Sequence, residues 1–269
     1  MPRYKLTFTK EGYIRYTSHL DMLRLFNRAF KRSGIKLEYS KGFNPHPRIS
    51  FAQPLSLGYT SLGELLEFQT EESFETPVIA EKLGRELPRG IAVMECVKIS
   101  ETGKSLASRV THAEYIIKIS PESCGGEVSE TTDAAEATET KDAADATETK
   151  DAKEAAKTYG TEELSDRAED FMRMNEIKVS KKTKKRSGKK RNDGAKNSAG
   201  EVEINIRPMI EYLTVNTDGN NIFMSTKIAA GSENNLSPAL LQKAFCEFAG
   251  LDVMPENIEI MRTELFLKP

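Results

Sequence analysis

Residues 3–9, RYKLTFT, and residues 18–34, SHLDMLRLFNRAFKRSG, are the neighbouring stretches that decide the fold class. The first alternates polar and apolar residues, the period of a strand with one buried face. The second changes to helical spacing, with Leu20, Leu23, Phe26 and Phe30 supplying an apolar face. Ser18 with Asp21 makes an S-x-x-D capping pattern at its start, and Gly34 stands where a left-handed residue closes a helix. Residues 13–16 read as an extension or a return of the first strand. Working outward, residues 35–40, 48–53 and 64–70 read as strands, 77–87 as a helix with Pro77 in its first turn, and 91–99 as a strand.

The second half repeats the order. Strands are expected at 111–119, 201–206, 210–217, 222–228 and 257–267. A helix is expected at 237–249, with Ser237 as N-cap, Pro238 in the first turn and Gly250 beyond the end. Residues 162–174 are the one candidate for its first helix. This predicts an α+β chain of two ferredoxin-like (β-α-β-β-α-β) halves, residues 1–104 and 105–269, with a long disordered insert at 121–200 in the second half.

The insert is legible by composition. No aromatic residue occurs from Ile116 to Lys157, and a nine-residue period runs DAAEATETK (133–141), DAADATETK (142–150) and the decaying DAKEAAK (151–157). Such repeats lack an apolar face to stack, so a tether is expected rather than a solenoid. Residues 178–196 then carry ten Lys/Arg and one acid. A run of like charge reads first as solvated linker, with contact to the acidic repeat or to RNA as the alternative.

The whole chain nearly balances, with 39 Lys+Arg against 41 Asp+Glu in 269 residues. That balance is a sum of opposed blocks. Residues 1–53 hold 11 basic and 3 acidic side chains, net +8; residues 54–120 hold 7 and 10; residues 201–269 hold 5 and 10. Because screening limits exposed charges to roughly 10 Å, a partner senses the local block and not the total. The near-neutral average therefore does not exclude an anionic partner. No apolar run approaches the roughly 20 residues of a membrane span. The start MPRYKLTFTKEG has no apolar core of a secretory signal, so a cytoplasmic protein is expected. Cys96, Cys124 and Cys246 are scattered, which speaks against a disulfide framework or a cysteine-rich metal site.

Residues 15–64 hold the densest set of polar residues that a core does not require. Arg24, Arg28 and Lys31 recur at helical spacing as a basic stripe, with Asp21 one turn before Arg24. The stripe reads either as a solvated face or as an anion-binding one. In Lys41-Gly42-Phe43-Asn44-Pro45-His46-Pro47-Arg48, each proline restricts the residue before it to extended conformations. His46 is thereby held between two prolines and flanked by Lys41 and Arg48. With the free N–H groups at the Ser18 helix start, the loop makes an anion pocket or, in the plainer reading, a stiff turn. His19 and His46 are two of the three histidines, and a pair of imidazoles suits general acid–base cleavage of a phosphodiester. A metal site from His19, Asp21, His46 and Glu64 matches no compact ligand spacing, so no metal is expected. Phe43, Phe51 and Tyr59 read as core residues or as stacking platforms. His112 reads as structural, and Ser61 has neither an adjacent base nor a nucleophile elbow.

The segments Tyr16-Thr17-Ser18-His19-Leu20-Asp21, the Arg24/Arg28 helix, Tyr39–Arg48, Ser50-Phe51-Ala52, Pro54-Leu55, Gly58, Ser61 and Glu64 carry a resemblance. Over roughly the first hundred residues the chain resembles the radical-SAM-associated (radical-SAM-linked) family, a bacterial domain of unknown function. The likeness is weaker over 201–269 and absent from 121–200. It implies a partner, since that domain is encoded beside or fused to a cobalamin-type radical SAM protein, often near ribosome-related genes. The chain itself has no CxxxCxxC triplet to hold an iron–sulfur cluster, so no cofactor is expected in it. The resulting expectation is a non-catalytic accessory module of a radical SAM enzyme. It would hold RNA or another anionic substrate through Ser18, His19, Asp21, Arg24, Arg28, Lys31, Lys41, Asn44, His46 and Arg48. The alternatives are a metal-independent RNA-processing enzyme using His19 and His46, and a purely structural interaction protein.

Overall fold

A computed structural model describes residues 1–120, 160–182 and 201–268. Strand β1 (Arg3–Lys10) follows the alternation in its sequence, burying Tyr4, Leu6 and Phe8. Helix α1 (His19–Ser33) starts at Ser18, whose Oγ accepts from the Asp21 N–H, and ends at Gly34 with φ 73°. Its buried side is Met22, Phe26, Ala29 and Phe30. Leu20, expected on that side, is 61% exposed. Six residues separate it from Phe26, which at about 100° per residue turns it to the solvent side beside Arg24. The remaining elements of this half are β2 (Ile49–Phe51), β3 (Thr60–Gln69), α2 (Thr76–Glu86) and β4 (Val93–Ile99).

The second half contains the short helix α3 (Leu106–Arg109), β5 (Val110–Ile119), α4 (Thr161–Arg173), β6 (Lys178–Lys182), β7 (Glu201–Asn205), β8 (Ile210–Asp218), β9 (Asn221–Ala229), α5 (Pro238–Ala249) and β10 (Ile258–Leu267). Two corrections to the sequence reading follow. Residues 161–173 and 178–182 fall inside the stretch read as a disordered insert, yet they are helix and strand. Leu164, Ala168 and Phe171 repeat at helical spacing and are buried, so this piece has the apolar face that the nine-residue repeats lack. Those repeats, and the basic run beyond Lys182, lie outside the described residues. The other correction concerns 13–16 and 35–40. The former belongs to a 3-10 helix (Gly12–Tyr16), and the latter makes only isolated bridges, Leu37 to Thr70 and Tyr39 to Pro47.

Eight strands form one mostly antiparallel sheet in the order β4-β1-β3-β10-β5-β9-β8, with β2 also on β3; β6 and β7 pair separately. In the first half β3 and β4 flank β1, and β2 pairs with β3, all antiparallel. In the second half β10 and β9 flank β5, and β8 pairs with β9, again antiparallel. One core joins Tyr4, Leu6, Phe8 and Phe68 to Phe26, Phe30, Ile79 and Leu83 of α1 and α2. The other joins Ala113, Ile117, Met224 and Ile260 to Phe171 of α4 and Phe245 of α5.

The halves meet where β3 and β10 run parallel over only two register pairs, Met261 with Thr60 and Arg262 with Ser61. Such a short ladder fixes little by itself, and the side chains complete it. Arg262, 1% exposed, donates from Nε to Glu64 Oε1 at 2.8 Å, from Nη2 to Glu64 Oε2, and from Nη2 to the Gln53 carbonyl at 2.8 Å. The β1–β3 register slips here, so that Glu64 opposes Phe8 and Ser61 opposes Lys10. The extra residue of this bulge keeps Ser61 and Glu64 on one face, aimed at Arg262 and Lys10. Lys10 is buried too, its Nζ donating to the Thr17 and Arg15 carbonyls at 3.2 and 3.4 Å, and burial pushes its pKa down. A second buried pair, Arg3–Glu67, straps the connection between the halves. Arg3 Nη2 donates to the Lys104 carbonyl at 2.9 Å, and Glu67 Oε2 accepts the Leu106 N–H at 2.7 Å.

Arg262→Ala leaves Glu64 buried without its partner, and is expected to cost about 3–5 kcal/mol in urea denaturation. The double substitution Glu64→Leu with Arg262→Met should recover most of that loss, since it removes both charges together. Gly90 has φ 96° and a Cβ there would lie 2.6 Å from the Glu11 carbonyl, against which the Glu11 N–H to Gly90 carbonyl bond of 2.8 Å is made. Gly90→Ala should therefore destabilise by more than about 1 kcal/mol, read by the same denaturation.

Candidate functional site

The N-cap chemistry of α1 determines what its first turn offers. Ser18 Oγ accepts the Asp21 N–H at 3.2 Å and donates to Asp21 Oδ2 at 2.7 Å, while Asp21 Oδ1 accepts from Arg24 Nη1 at 2.9 Å. The Ser18 hydroxyl and then the Arg24 guanidinium hold the Asp21 carboxyl below its usual range. Ser18 and Asp21 are thus engaged in starting the helix and orienting Arg24.

His19 and His46 take different surroundings. The His19 ring packs edge-on to Phe51, with centroids 5.4 Å apart. It lines a cleft with Lys10, Met22, Leu55 and Glu64 of about 20 Å³, room for about one water. His46 is not among the residues lining that cleft. Its Nδ1 lies 3.1 Å from the Asn44 carbonyl and 3.2 Å from Ser40 Oγ, and its backbone N–H donates to the same hydroxyl at 3.1 Å. The proline-bracketed loop is a narrow excursion closed by Ser40 N–H to the His46 carbonyl at 2.9 Å and Arg48 N–H to the Glu38 carbonyl at 2.7 Å. Among the described residues no hydrogen bond joins the two imidazoles, and no three His, Cys, Asp or Glu side chains gather in a metal-binding group. Of the set His19, Asp21, His46 and Glu64, Glu64 is held by Arg262 and Asp21 by Ser18 and Arg24.

The basic residues divide between two grooves. Arg24 and Arg28 line one, of about 580 Å³, together with Arg32 and the Glu86–Pro88 turn. Arg32, which the sequence reading left out, stands four residues beyond Arg28 and pairs with Glu86 at 2.7 Å. Lys31 lines a different groove, of about 310 Å³, between the last turns of α1 and residues 35–39, with Lys36, Tyr39, Asn27 and Glu71 around it. Lys41 and Asn44 are exposed in the loop and line neither groove, and Arg48 Nη1 donates to Gln69 Oε1 at 3.3 Å.

The aromatics also part company. Phe51 is 8% exposed and belongs to the core, and Tyr59 is half-buried. Phe43 at the loop tip is fully exposed. Tyr39, Lys36, Asn27 and Glu71 were not singled out by sequence. Tyr39 shares the parity of Ile35 and Leu37, both buried, yet is 42% exposed, because the chain turns away from β3 into the loop at that point. Its signals in the sequence were an aromatic in the alternating stretch 35–40 and its place in the segment Tyr39–Arg48 that carries the resemblance.

No curated protein matches the chain. A crystal structure of an unknown protein from Galdieria sulphuraria aligns over 100% of this chain and 99% of that one, at 8% identity and a TM-score of 0.26, a likeness too low to support any inference. No helix among the described residues is long and apolar enough to cross a membrane. A family profile described as "Uncharacterized protein conserved in bacteria", DUF2344, matches residues 3–238, and over that span, which includes every residue of both grooves, the chain belongs to this bacterial family of unknown function.

Proposed function

We propose that the chain is a non-catalytic, cytoplasmic accessory module of a radical SAM enzyme, and that its N-terminal lobe holds RNA. One observation carries the RNA part. Of the cations in the basic block, Arg28, Lys31, Lys36, Lys41 and Arg48 are all exposed and form no ion pair among the described residues, whereas Arg24, Arg32, Arg3, Lys5 and Arg15 each have a carboxylate. The unpaired five stand on the later turns of α1, in the 35–39 segment and in and beside the loop, and no carboxylate among the described residues compensates their charge. In the second half the exposed cations whose side chains are described do have a carboxylate, as in Arg173–Glu169, Lys178–Glu176, Lys243–Glu247 and Lys268–Glu233. Fully exposed Phe43 and half-exposed Tyr39 stand beside the unpaired charges. Basic grooves interleaved with aromatic platforms are what single-stranded nucleic acid requires.

The radical SAM partner is supported by the sequence resemblance alone. The reading also takes each half as ferredoxin-like, supported by the strand orders β4-β1-β3-β2 and β10-β5-β9-β8. Cleavage by His19 and His46 finds no geometric support, because each ring is committed to its own surroundings.

Fluorescence anisotropy with labelled single-stranded RNA tests the lobe. Arg28→Glu with Lys31→Glu should weaken binding about tenfold or more and lower the log–log salt slope by about 0.7 for each phosphate that is no longer neutralised. Equal affinity and slope would remove these cations from the site. Co-purification with a radical SAM protein from the same cells tests the partnership, and absence of a complex at cellular concentrations would end that part.

A further inference from the structure

The 310 Å³ groove beside α1 has a composition that neither helix packing nor simple phosphate binding explains. Its floor is apolar, formed by Phe30, Ile35 and Leu37, all buried. Its rim carries Tyr39, Lys31 and Lys36, together with one carboxylate, Glu71. That carboxylate makes no ion pair and accepts no hydrogen bond among the described residues, although two lysines line the same groove. Its backbone is fixed, since the Glu71 N–H donates to the Lys36 carbonyl at 3.1 Å. Asn27 also lines the groove, and its Oδ1 is the one buried side-chain polar atom without a hydrogen-bond partner among the described residues.

We infer that this groove seats a guanine base of a nucleotide, with Tyr39 stacking on the base, Glu71 accepting from its edge, and Lys31 and Lys36 facing the phosphate. An apolar floor with an exposed aromatic at its rim suits the face of a base, and recognition of single strands proceeds by stacking plus hydrogen bonds to the base edge. Guanine is the base that offers two adjacent donors, N1–H and N2–H, and a carboxylate is acceptor-only and takes two. A carboxylate left unpaired beside two lysines is unsuited to binding phosphate alone, which would place like charges together. It is suited to a ligand that brings donors to one end and negative charge to the other. The volume stands at the small end of the roughly 300–1,000 Å³ range of ligand sites, as a single nucleotide requires. The seat rests on the proposal that this lobe binds RNA, and it names the base that lobe would select. The same chemistry serves a free guanosine monophosphate.

The test compares a short labelled oligouridine with the same oligomer carrying one central guanosine, bound to the full chain, with guanosine monophosphate titrated separately by calorimetry. The guanosine should tighten binding about tenfold. Glu71→Gln should abolish that preference and leave oligouridine binding intact, and Tyr39→Ala should weaken both oligomers. Both substitutions lie at exposed positions, and unchanged circular dichroism and melting temperature verify the fold. Competition by the free mononucleotide would assign the seat to nucleotide and RNA alike; its absence would assign it to RNA. Equal affinity for the two oligomers overturns the guanine seat while the cationic lobe stands. If neither oligomer binds, the RNA reading falls and calorimetry decides the seat: mononucleotide heat that disappears in Glu71→Gln retains it, and no heat overturns it.

Discussion

The buried Arg262–Glu64 pair is the constraint on which the arrangement of the two halves depends. Each half makes its own antiparallel ladders; Ala52 and Leu65 of the first half pack into the second core, Arg3–Glu67 straps the connection, and the ladder that joins the halves has only two parallel register pairs. Such a junction would permit sliding or splaying, since parallel pairing of two residues fixes little orientation. A guanidinium bonded to both oxygens of one carboxylate and to the Gln53 carbonyl has a single satisfactory geometry. A buried ion pair contributes little net stability relative to an apolar replacement, because desolvation offsets attraction. Its effect here is to specify one register. Any slip would leave an arginine and a glutamate buried and unmatched.

The same pair determines what the first histidine can do. Among the described residues Glu64 is the only carboxylate that shares the His19 cleft, and it is already bonded to Arg262. Lys10, the other ionisable group there, is held by two carbonyls. A cluster of His, Lys and Glu that would look catalytic in isolation therefore lies against the junction, its carboxylate already bonded, with space for about one water beside the exposed His19. The cations without partners among the described residues lie elsewhere, on the later turns of α1 and in residues 36–48. The helix separates the two: its inner face closes the core with Phe26 and Phe30, and its outer turns carry Arg28 and Lys31.

Much of the fold was legible because periodicity and capping are local. The alternation of Arg3–Lys10, the Ser18 cap with Gly34 behind it, and the Pro238 start with Gly250 at φ 66° all appear where the residues place them. The misreadings share one cause, which is that burial depends on what lies opposite. Leu20 is apolar but turned away from the core, and residues 35–40 are strand-like but receive only bridges, whereas the helix offered at 162–174 does form, with Leu164–Phe171 packed on β8. For the site, the basic block and the His46 loop were visible as composition, but the grooves were not. Arg28 and Lys31 are three residues apart in sequence and line different grooves.

By itself the sequence determined the α+β class, the doubled order of elements and the excess of positive charge in residues 1–53, because each follows from residue type and near-neighbour spacing. Tertiary structure alone decided which charges remain uncompensated. Arg24 and Arg32 find Asp21 and Glu86, Arg3 and Arg262 find Glu67 and Glu64, and Arg28, Lys31, Lys36, Lys41 and Arg48 find none among the described residues. Three of those four partnerships join residues more than fifty positions apart, at distances set by strand pairing and helix packing. A charge count has no access to such distances, and the energy of a charge falls with separation and with solvent exposure, not with its position along the chain.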